Sequence, residues 1–245
     1  MNHAIKTGLI DKSSPLKRVL ITRPEPGADE TAARLTTLGF VPIVAPVLSI
    51  TANHISAPDH VAATLLTSRN AIIGCPVFLR DRPVFTVGNA TAARAAEAGF
   101  SHVLSADGDA VRLATFVAAS LSPAEGSLFL PTGQGQGVEL AASLRKYGFH
   151  VIRRVAYRAT RIPALPEAAA SHLQSGKLAV AMFFSGETSR HFVRLVLAAG
   201  LAETTRDVEA VSISERATVP LRRLPWRRIN VAAKPNQDAM LVLLT

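Results

Sequence analysis

The chain has 245 residues, 48% of them hydrophobic, enough for one large domain or two modest ones that each bury a core. A single cysteine, Cys75, excludes an intramolecular disulfide and fits a reducing compartment, and the longest apolar run, Leu178 to Phe184, is far too short to span a bilayer. The net charge of +9 favours anionic partners, while 5% aromatics and no zinc-finger or RNA-binding signature speak against nucleic acid.

The N-terminus carries Lys6, Lys12, Lys17 and Arg18 but no apolar core, so it does not read as a secretory signal, and a soluble cytoplasmic protein is expected. Val19–Thr22 predicts a strand, and Gly27–Leu38 a helix ended by Gly39, since glycine accepts the left-handed cap conformation cheaply. Val41–Ile50 predicts a long strand. Further strands are expected near Ala62–Thr67, Val84–Val87, His102–Ser105, Leu128–Pro131, Val151–Tyr157, Ala179–Phe184, Val208–Ile213 and Ile229–Ala232. The clearest helices between them are Ala90–Ala98, Ala110–Ser120, Val138–Tyr147 and Thr188–Ala199. Three helix-to-strand junctions share Gly-Phe: Gly39-Phe40, Gly99-Phe100 and Gly148-Phe149. This alternation predicts α/β architecture, with parallel sheets covered by helices on both faces.

One stretch occurs twice. Glu30–Ile43 reappears as Glu139–Ile152, at a constant offset of 109 residues (148 − 39), with seven of fourteen positions identical. A folding unit used twice leaves a cleft between its copies. About ten strands exceed one comfortable sheet for this length, so two domains are expected. Each copy ends in a strand longer than its neighbours, and a strand that outlasts its sheet is a natural connector. The candidates are Pro46–Ile50 and Val155–Ala159. The expected domains are 1–47 plus 160–245, discontinuous, and 51–154, with 48–50 and 155–159 as a connecting ribbon.

In open parallel sheets, ligands bind beyond the carboxyl ends of the strands. The expected turns there are small and hydroxyl-rich: Thr67-Ser68-Arg69-Asn70, Gly88-Asn89-Ala90-Thr91, Thr132-Gly133-Gln134-Gly135, Ser185-Gly186-Glu187-Thr188 and Ser212-Ile213-Ser214. Backbone N–H groups and a hydroxyl at a helix N-terminus bind anions. The same residues are ordinary N-caps in any protein, so both readings stand.

Other motifs fail. Gly133–Gly137 is neither a dinucleotide fingerprint nor a P-loop, and reads as a permissive turn. The seven histidines lack metal-ligand spacing, no nucleophile elbow is present, and Cys75 reads as core. Asp107-Gly108-Asp109 reads as a turn plus a helix N-cap. What remains is two α/β domains around an anion-binding cleft. Either a binding module or an enzyme whose work is mainly conformational would fit.

The residues resemble the uroporphyrinogen-III synthase family from about residue 18 to the C-terminus. The resemblance rests on the order of several motifs: Val19-Leu20-Ile21-Thr22-Arg23-Pro24, Pro46–Ile50, Leu65–Ala71, Val87-Gly88-Asn89-Ala90-Thr91-Ala92, Val155–Thr160 and Phe183-Phe184-Ser185. It implies two flavodoxin-like domains joined by a two-stranded β-ribbon, the first discontinuous. It also implies a monomeric lyase of heme biosynthesis that cyclises hydroxymethylbilane, a linear tetrapyrrole octacarboxylate, with inversion of ring D through azafulvene and spiro intermediates. No cofactor, metal, nucleic acid or membrane is implied. Transient handover of the substrate from hydroxymethylbilane synthase is a further expectation.

The family tyrosine falls on Tyr157, as a weak general acid for the departing hydroxyl or as a brace for the hinge. The candidate substrate-binding residues, taken from the strand-end turns and the opening motif, are Arg23, Thr67, Ser68, Gly88, Asn89, Thr91, Thr132, Gly133, Ser185, Gly186, Thr188 and Ser214. Two departures stand out. Arg216 and Ala217 replace paired threonines, leaving Ser214, Arg216 or Thr218 as substitutes, and Gly186-Glu187 stands where Ser-Pro is typical. The alternatives are a non-catalytic binder of small polyanions and a nucleic-acid binder using Arg222–Arg228.

Overall fold

The computed structural model describes residues 16–244. Lys6, Lys12 and the start of the first expected domain lie outside the described residues. In chain order the elements are β1 (Arg18–Ile21), α1 (Gly27–Thr37), β2 (Val41–Val44), β3 (Leu48–Ala52), β4 (Ala63–Leu66), β5 (Val84–Thr86), α2 (Asn89–Glu97), β6 (Val103–Ser105) and α3 (Ala110–Ser120). They continue with β7 (Leu128–Gly133), α4 (Val138–Lys146), β8 (Val151–Arg161), α5 (Glu167–Gln174), β9 (Leu178–Phe183), α6 (Gly186–Ala198), β10 (Glu209–Ser212), α7 (Glu215–Thr218), β11 (Arg228–Val231) and α8 (Gln237–Val242). No helix among the described residues is long and apolar enough to cross a membrane.

Contacts divide the chain into two units. One holds the residues up to Leu48 and those from Arg161 onward, and the other is Ser49–Thr160. The first unit has the sheet order β11-β10-β9-β1-β2 and the second β3-β8-β7-β4-β5-β6. All five strands of the first sheet are parallel to their neighbours, as are β8, β7, β4, β5 and β6 of the second.

The central strands of each sheet are buried on both faces, which is why they read as apolar runs rather than alternating ones. In the first unit Leu20, Ala181, Phe183 and Ala210 pack on one face, and Val19, Ile21, Val180, Met182 and Val211 on the other. In the second, Leu65, Phe85, Leu128 and Leu130 oppose Leu66, Val84 and Phe129. Full burial of one such side chain stabilises by about 1.5–3 kcal/mol.

The repeated stretch forms α1–β2 in one unit and α4–β8 in the other. Gly39 and Gly148 close the two helices at φ +83° and +87°. The following Phe40 and Phe149 N–H groups reach back to Leu35 O and Leu144 O at 2.9 and 3.2 Å, the bond that ends a helix with a left-handed glycine. Gly99-Phe100 repeats this, with φ +91° and a 3.1 Å bond to Ala95 O. Strand register keeps the same offset of 109 residues: Val19 lies opposite Pro42, and Leu128 opposite Val151.

Four expectations change. Val41–Ile50 is not one strand: it breaks at Ala45-Pro46-Val47, and β2 and β3 belong to different sheets. Proline has no N–H for a ladder bond, so it suits such a break. Thr132 and Gly133 are not in a turn but form the buried end of β7, and α4 starts only after Gly137, at φ +75°. The turn after β4 leads into a 3-10 segment, Arg69–Gly74, rather than an α-helix. Arg222–Arg228 is not basic surface throughout: its four arginines are exposed, but they flank buried packing. Its Trp226 is buried, stacks on Phe192 at 6.2 Å and donates from Nε1 to Leu221 O at 2.9 Å, while Arg227 pairs with Glu209 at 2.6 Å.

Candidate active site

A doubly wound sheet opens a crevice where successive strands leave in opposite directions. In the first unit that point lies between β1 and β9, and in the second between β4 and β7. The strand ends around each crevice carry most of the candidate residues.

In the first unit, Ser185 caps α6. Its Oγ accepts from Thr188 N–H at 3.1 Å and shares a hydrogen bond with Thr188 Oγ1 at 2.9 Å. At Gly186 a Cβ would sit 3.7 Å from Arg216 O, an ordinary contact that a side chain could make. Ser214 holds the N-cap position of α7 with no side-chain capping bond. Arg23 is packed into its loop. Its guanidinium lies 4.2 Å over the Phe184 ring, donates to Gln237 Oε1 at 3.0 Å and leaves no room for a side chain at Gly27, where a Cβ would be 2.5 Å away. Glu187, an odd neighbour for a polyanion, is held between Arg161 at 2.7 Å and Arg190 at 2.8 Å, which offsets its charge.

Of the three candidates to replace the family threonines, Thr218 is buried, and its Oγ1 donates to Glu215 O at 2.8 Å. Arg216 is exposed, Ser214 is half-exposed and Ala217 is in the core.

In the second unit, Ser68 caps the 3-10 turn, its Oγ accepting from Asn70 N–H at 3.3 Å. Thr67 and Thr91 are half-exposed beside it and in α2. Gly88 is the N-cap of α2, and a Cβ there would meet nothing within 4 Å. Asn89 Nδ2 donates to Asp107 Oδ1 at 2.9 Å. Thr132 is fully buried, and its Oγ1 has no hydrogen-bond partner.

Tyr157 is positioned by an irregularity in β8. Thr132 pairs with Val155 but Gly133 with Tyr157, so Ala156 is left over and the strand slips by one residue. Strict alternation would put Tyr157 on the Val151 face with α4. The slip turns it to the opposite face, beside Ile152 and Phe129. There its ring crosses Gly133, where a Cβ would lie 2.7 Å from Cζ. It is only 4% exposed, and its hydroxyl donates to Gln136 Oε1 at 3.0 Å. Gln136 O in turn accepts from Arg153 Nη1 at 3.0 Å.

Gln136, Gln237 and Arg161 are the engaged residues that sequence reasoning missed. Gln136 had one available signal, being a polar residue inside a glycine turn. Its partner depends on the β8 slip, which no spacing rule reveals. Cys75 offers no nucleophile, because burial pushes its thiol up to about 12 and keeps it protonated.

Among solved structures, the chain resembles uroporphyrinogen-III synthetase from Helicobacter pylori at 14% identity and a TM-score of 0.61, covering 94% of this chain and 98% of that one. A mutant uroporphyrinogen III synthase from the extremely thermophilic bacterium Thermus thermophilus aligns at 17% identity and a TM-score of 0.49, covering 93% and 97%. The Helicobacter likeness is one of fold. No curated protein sequence matches the chain. The family model described as Uroporphyrinogen-III synthase HemD matches residues 29–242, spanning both units, and the chain therefore belongs to the uroporphyrinogen-III synthase family.

Proposed function

We propose that this chain closes hydroxymethylbilane to uroporphyrinogen III, with Tyr157 assisting departure of the terminal hydroxyl. The observation that carries the reading is the family match over residues 29–242. In support, hydroxyl- and N–H-bearing strand ends surround both crevices. Helix N-termini favour carboxylates by about 0.3–1 kcal/mol each. Ser68, Gly88, Asn89, Thr91 and Gly133 in one unit, and Arg23, Ser185, Gly186, Thr188 and Ser214 in the other, are the proposed carboxylate contacts. Thr67 and Thr132 complete the set, and Thr132 brings a buried hydroxyl that lacks a partner.

The chemistry asks for little acid or base strength. The terminal C–O bond breaks, a donated proton leaves with the hydroxyl as water, and the pyrrole nitrogen lone pair fills in to give an azafulvene cation. The substituted carbon of ring D attacks this cation, forming a spiro centre. One carbon–carbon bond then breaks and re-forms at the other position, and a proton is lost. Unassisted closure takes the other carbon, so the protein's task is to hold the chain with the disfavoured carbon nearer. Positioning of that kind can supply about 7–11 kcal/mol of a barrier. Tyr157 presents a phenolic donor whose direction is set by Gln136, and it would transfer that donor from Gln136 to the leaving hydroxyl.

The connecting ribbon is proposed from β3 and the end of β8. Asn53 N–H donates to Ala156 O at 2.8 Å, and the chain changes unit after Leu48 and after Thr160. The same reading has the chain working as a cytoplasmic monomer that takes its substrate from hydroxymethylbilane synthase.

The test generates hydroxymethylbilane in situ, adds the protein, oxidises the products and resolves the uroporphyrin isomers. Isomer III above the spontaneous background is expected. Isomer I alone would overturn the reading in favour of a non-catalytic binder.

A further inference from the structure

A groove of about 600 Å³ runs along the second unit between α4 and β8. Its apolar lining is Val138 and Ala141 of the helix and Val151 and Ile152 of the strand, the last turned toward the opposite face of the sheet. Its polar lining is Arg145, His150, Arg153 and Arg154, and no carboxylate contributes. Seven other arginines of the described residues pair with Asp or Glu: Arg34, Arg94, Arg161, Arg190, Arg206, Arg222 and Arg227. The three in the groove have no ion pair among the described residues; Arg80, Arg112, Arg158 and Arg194 also have none, and what sets the three apart is that they line one groove.

Each of the three is nevertheless fixed by one bond to a backbone carbonyl. Arg145 Nη2 donates to Val151 O at 3.0 Å, Arg153 Nη1 to Gln136 O at 3.0 Å, and Arg154 Nη1 to Arg153 O at 3.2 Å. A guanidinium has five N–H donors, so most remain for a ligand, and their heads are already oriented. His150 is tied through Nδ1 to Ser127 Oγ at 2.8 Å. Arg153 and Arg154 come from β8, which lies between β3 and β7 in its sheet. Arg145 reaches the same groove from the last turn of α4. Three unpaired positive charges around one groove repel one another, and an anion would relieve that repulsion.

We propose that this groove binds a small organic anion with two or more carboxylate or phosphate groups on an apolar body. Guanidinium forks match both oxyanions, and the volume lies in the range of small-molecule sites. The groove follows the flank of α4 from Val138 to Arg145. It meets the proposed site where Arg153 Nη1 holds Gln136 O at 3.0 Å, so the test changes Arg145 and Arg154 and leaves that bond intact.

Two probes separate the possible sources. Uroporphyrin III is a polycarboxylate on an apolar macrocycle, and pyrophosphate stands for phosphorylated ligands. Each is titrated into the full-length protein, into Arg154→Gln, and into Arg145→Gln/Arg154→Gln, with thermal melts confirming that the variants fold. For uroporphyrin III the expected result is a second site in the wild-type protein, weakened at least tenfold in the double variant and by raised salt. For pyrophosphate it is a single site that weakens in the same way. Single-variant binding should fall between wild type and double variant, so the result survives if the Arg145 change harms folding. Equal binding of both probes by wild type and Arg154→Gln would overturn the proposal. So would a variant-sensitive response to a poly-glutamate peptide alone, which would assign the groove to a protein partner.

Discussion

The two units hold the same sheet, entered at different points. Reading across, β2-β1-β9-β10-β11 in the first answers to β8-β7-β4-β5-β6 in the second. The first begins its chain path at β1, the second at β4, so one order is a circular permutation of the other. Small details follow the same correspondence. Ser212 Oγ donates to Ser214 O at 3.0 Å, and Thr86 Oγ1 to Gly88 O at 3.2 Å. Ala232 N–H bonds Ser212 O at 2.9 Å, as Ala106 N–H bonds Thr86 O.

The copies diverge after the repeated helix and strand. β2 stops at Val44 and the chain passes through Pro46, whereas β8 continues, slips at Ala156 and presents Tyr157. The residue 109 positions earlier is Leu48, a core side chain. Equivalent positions therefore serve packing in one unit and a polar contact in the other.

That contrast can be broken from either side. Leu48→Ala should cost about 2–5 kcal/mol of stability, seen as a lower melting temperature, with the ratio of isomer III to isomer I unchanged. Tyr157→Phe should do the reverse, slowing isomer III formation about 100-fold with a near-normal melt. Full activity in that variant would reduce Tyr157 to a brace. Gly133→Ala pushes a methyl against the Tyr157 ring and should cost about 1–3 kcal/mol, together with a loss of activity. As a control in the same unit, Gly88→Ala meets open space at φ −148° and should stay within about 0.5 kcal/mol of wild type in chemical denaturation. Gln136→Leu removes the acceptor for the phenol and should lower kcat several-fold with little change in KM, because it acts through Tyr157 rather than on the substrate.

The smallest expected effect is a pH dependence confined to the first unit. His191 in α6 donates from Nε2 to Ile162 O at 2.8 Å and accepts from Arg194 at 3.2 Å on Nδ1. Burial, followed by the nearby arginines, holds its pKa below the usual histidine value, although the Ile162 bond pulls the other way. The unfolded chain then binds the proton more readily than the folded one. Stability should be fully present above about pH 6.5, the unfolded value, and fall as pH drops toward the lower folded value. Melts between about pH 7.5 and 5.5 should slope less in His191→Gln than in the wild-type protein.

Local patterns determined much of this molecule. Apolar runs separated by alanine-rich helices announce buried parallel strands. Gly-Phe at residues 39, 99 and 148 announces helix ends, because only a residue without Cβ adopts that backbone cheaply. The offset of 109 residues anticipates even the strand register. The hydroxyls at Ser68 and Ser185 are legible as caps for the same local reason.

What tertiary structure decided lies where a residue's role depends on a neighbour distant in sequence. Whether Pro46 interrupts one strand or separates two is set by which sheet each half joins. Thr132 and Gly133 read as a turn from their composition but complete β7, because β8 extends far enough to pair with them. Arg23 reads as an anion contact, and its packing onto Phe184 and Gln237 follows from β9 and α8 closing over it. Tyr157 could be found by resemblance alone. Its face, its clearance over Gly133 and its bond to Gln136 all follow from a one-residue slip, and period-two alternation cannot foresee a slip that only cross-strand pairing creates.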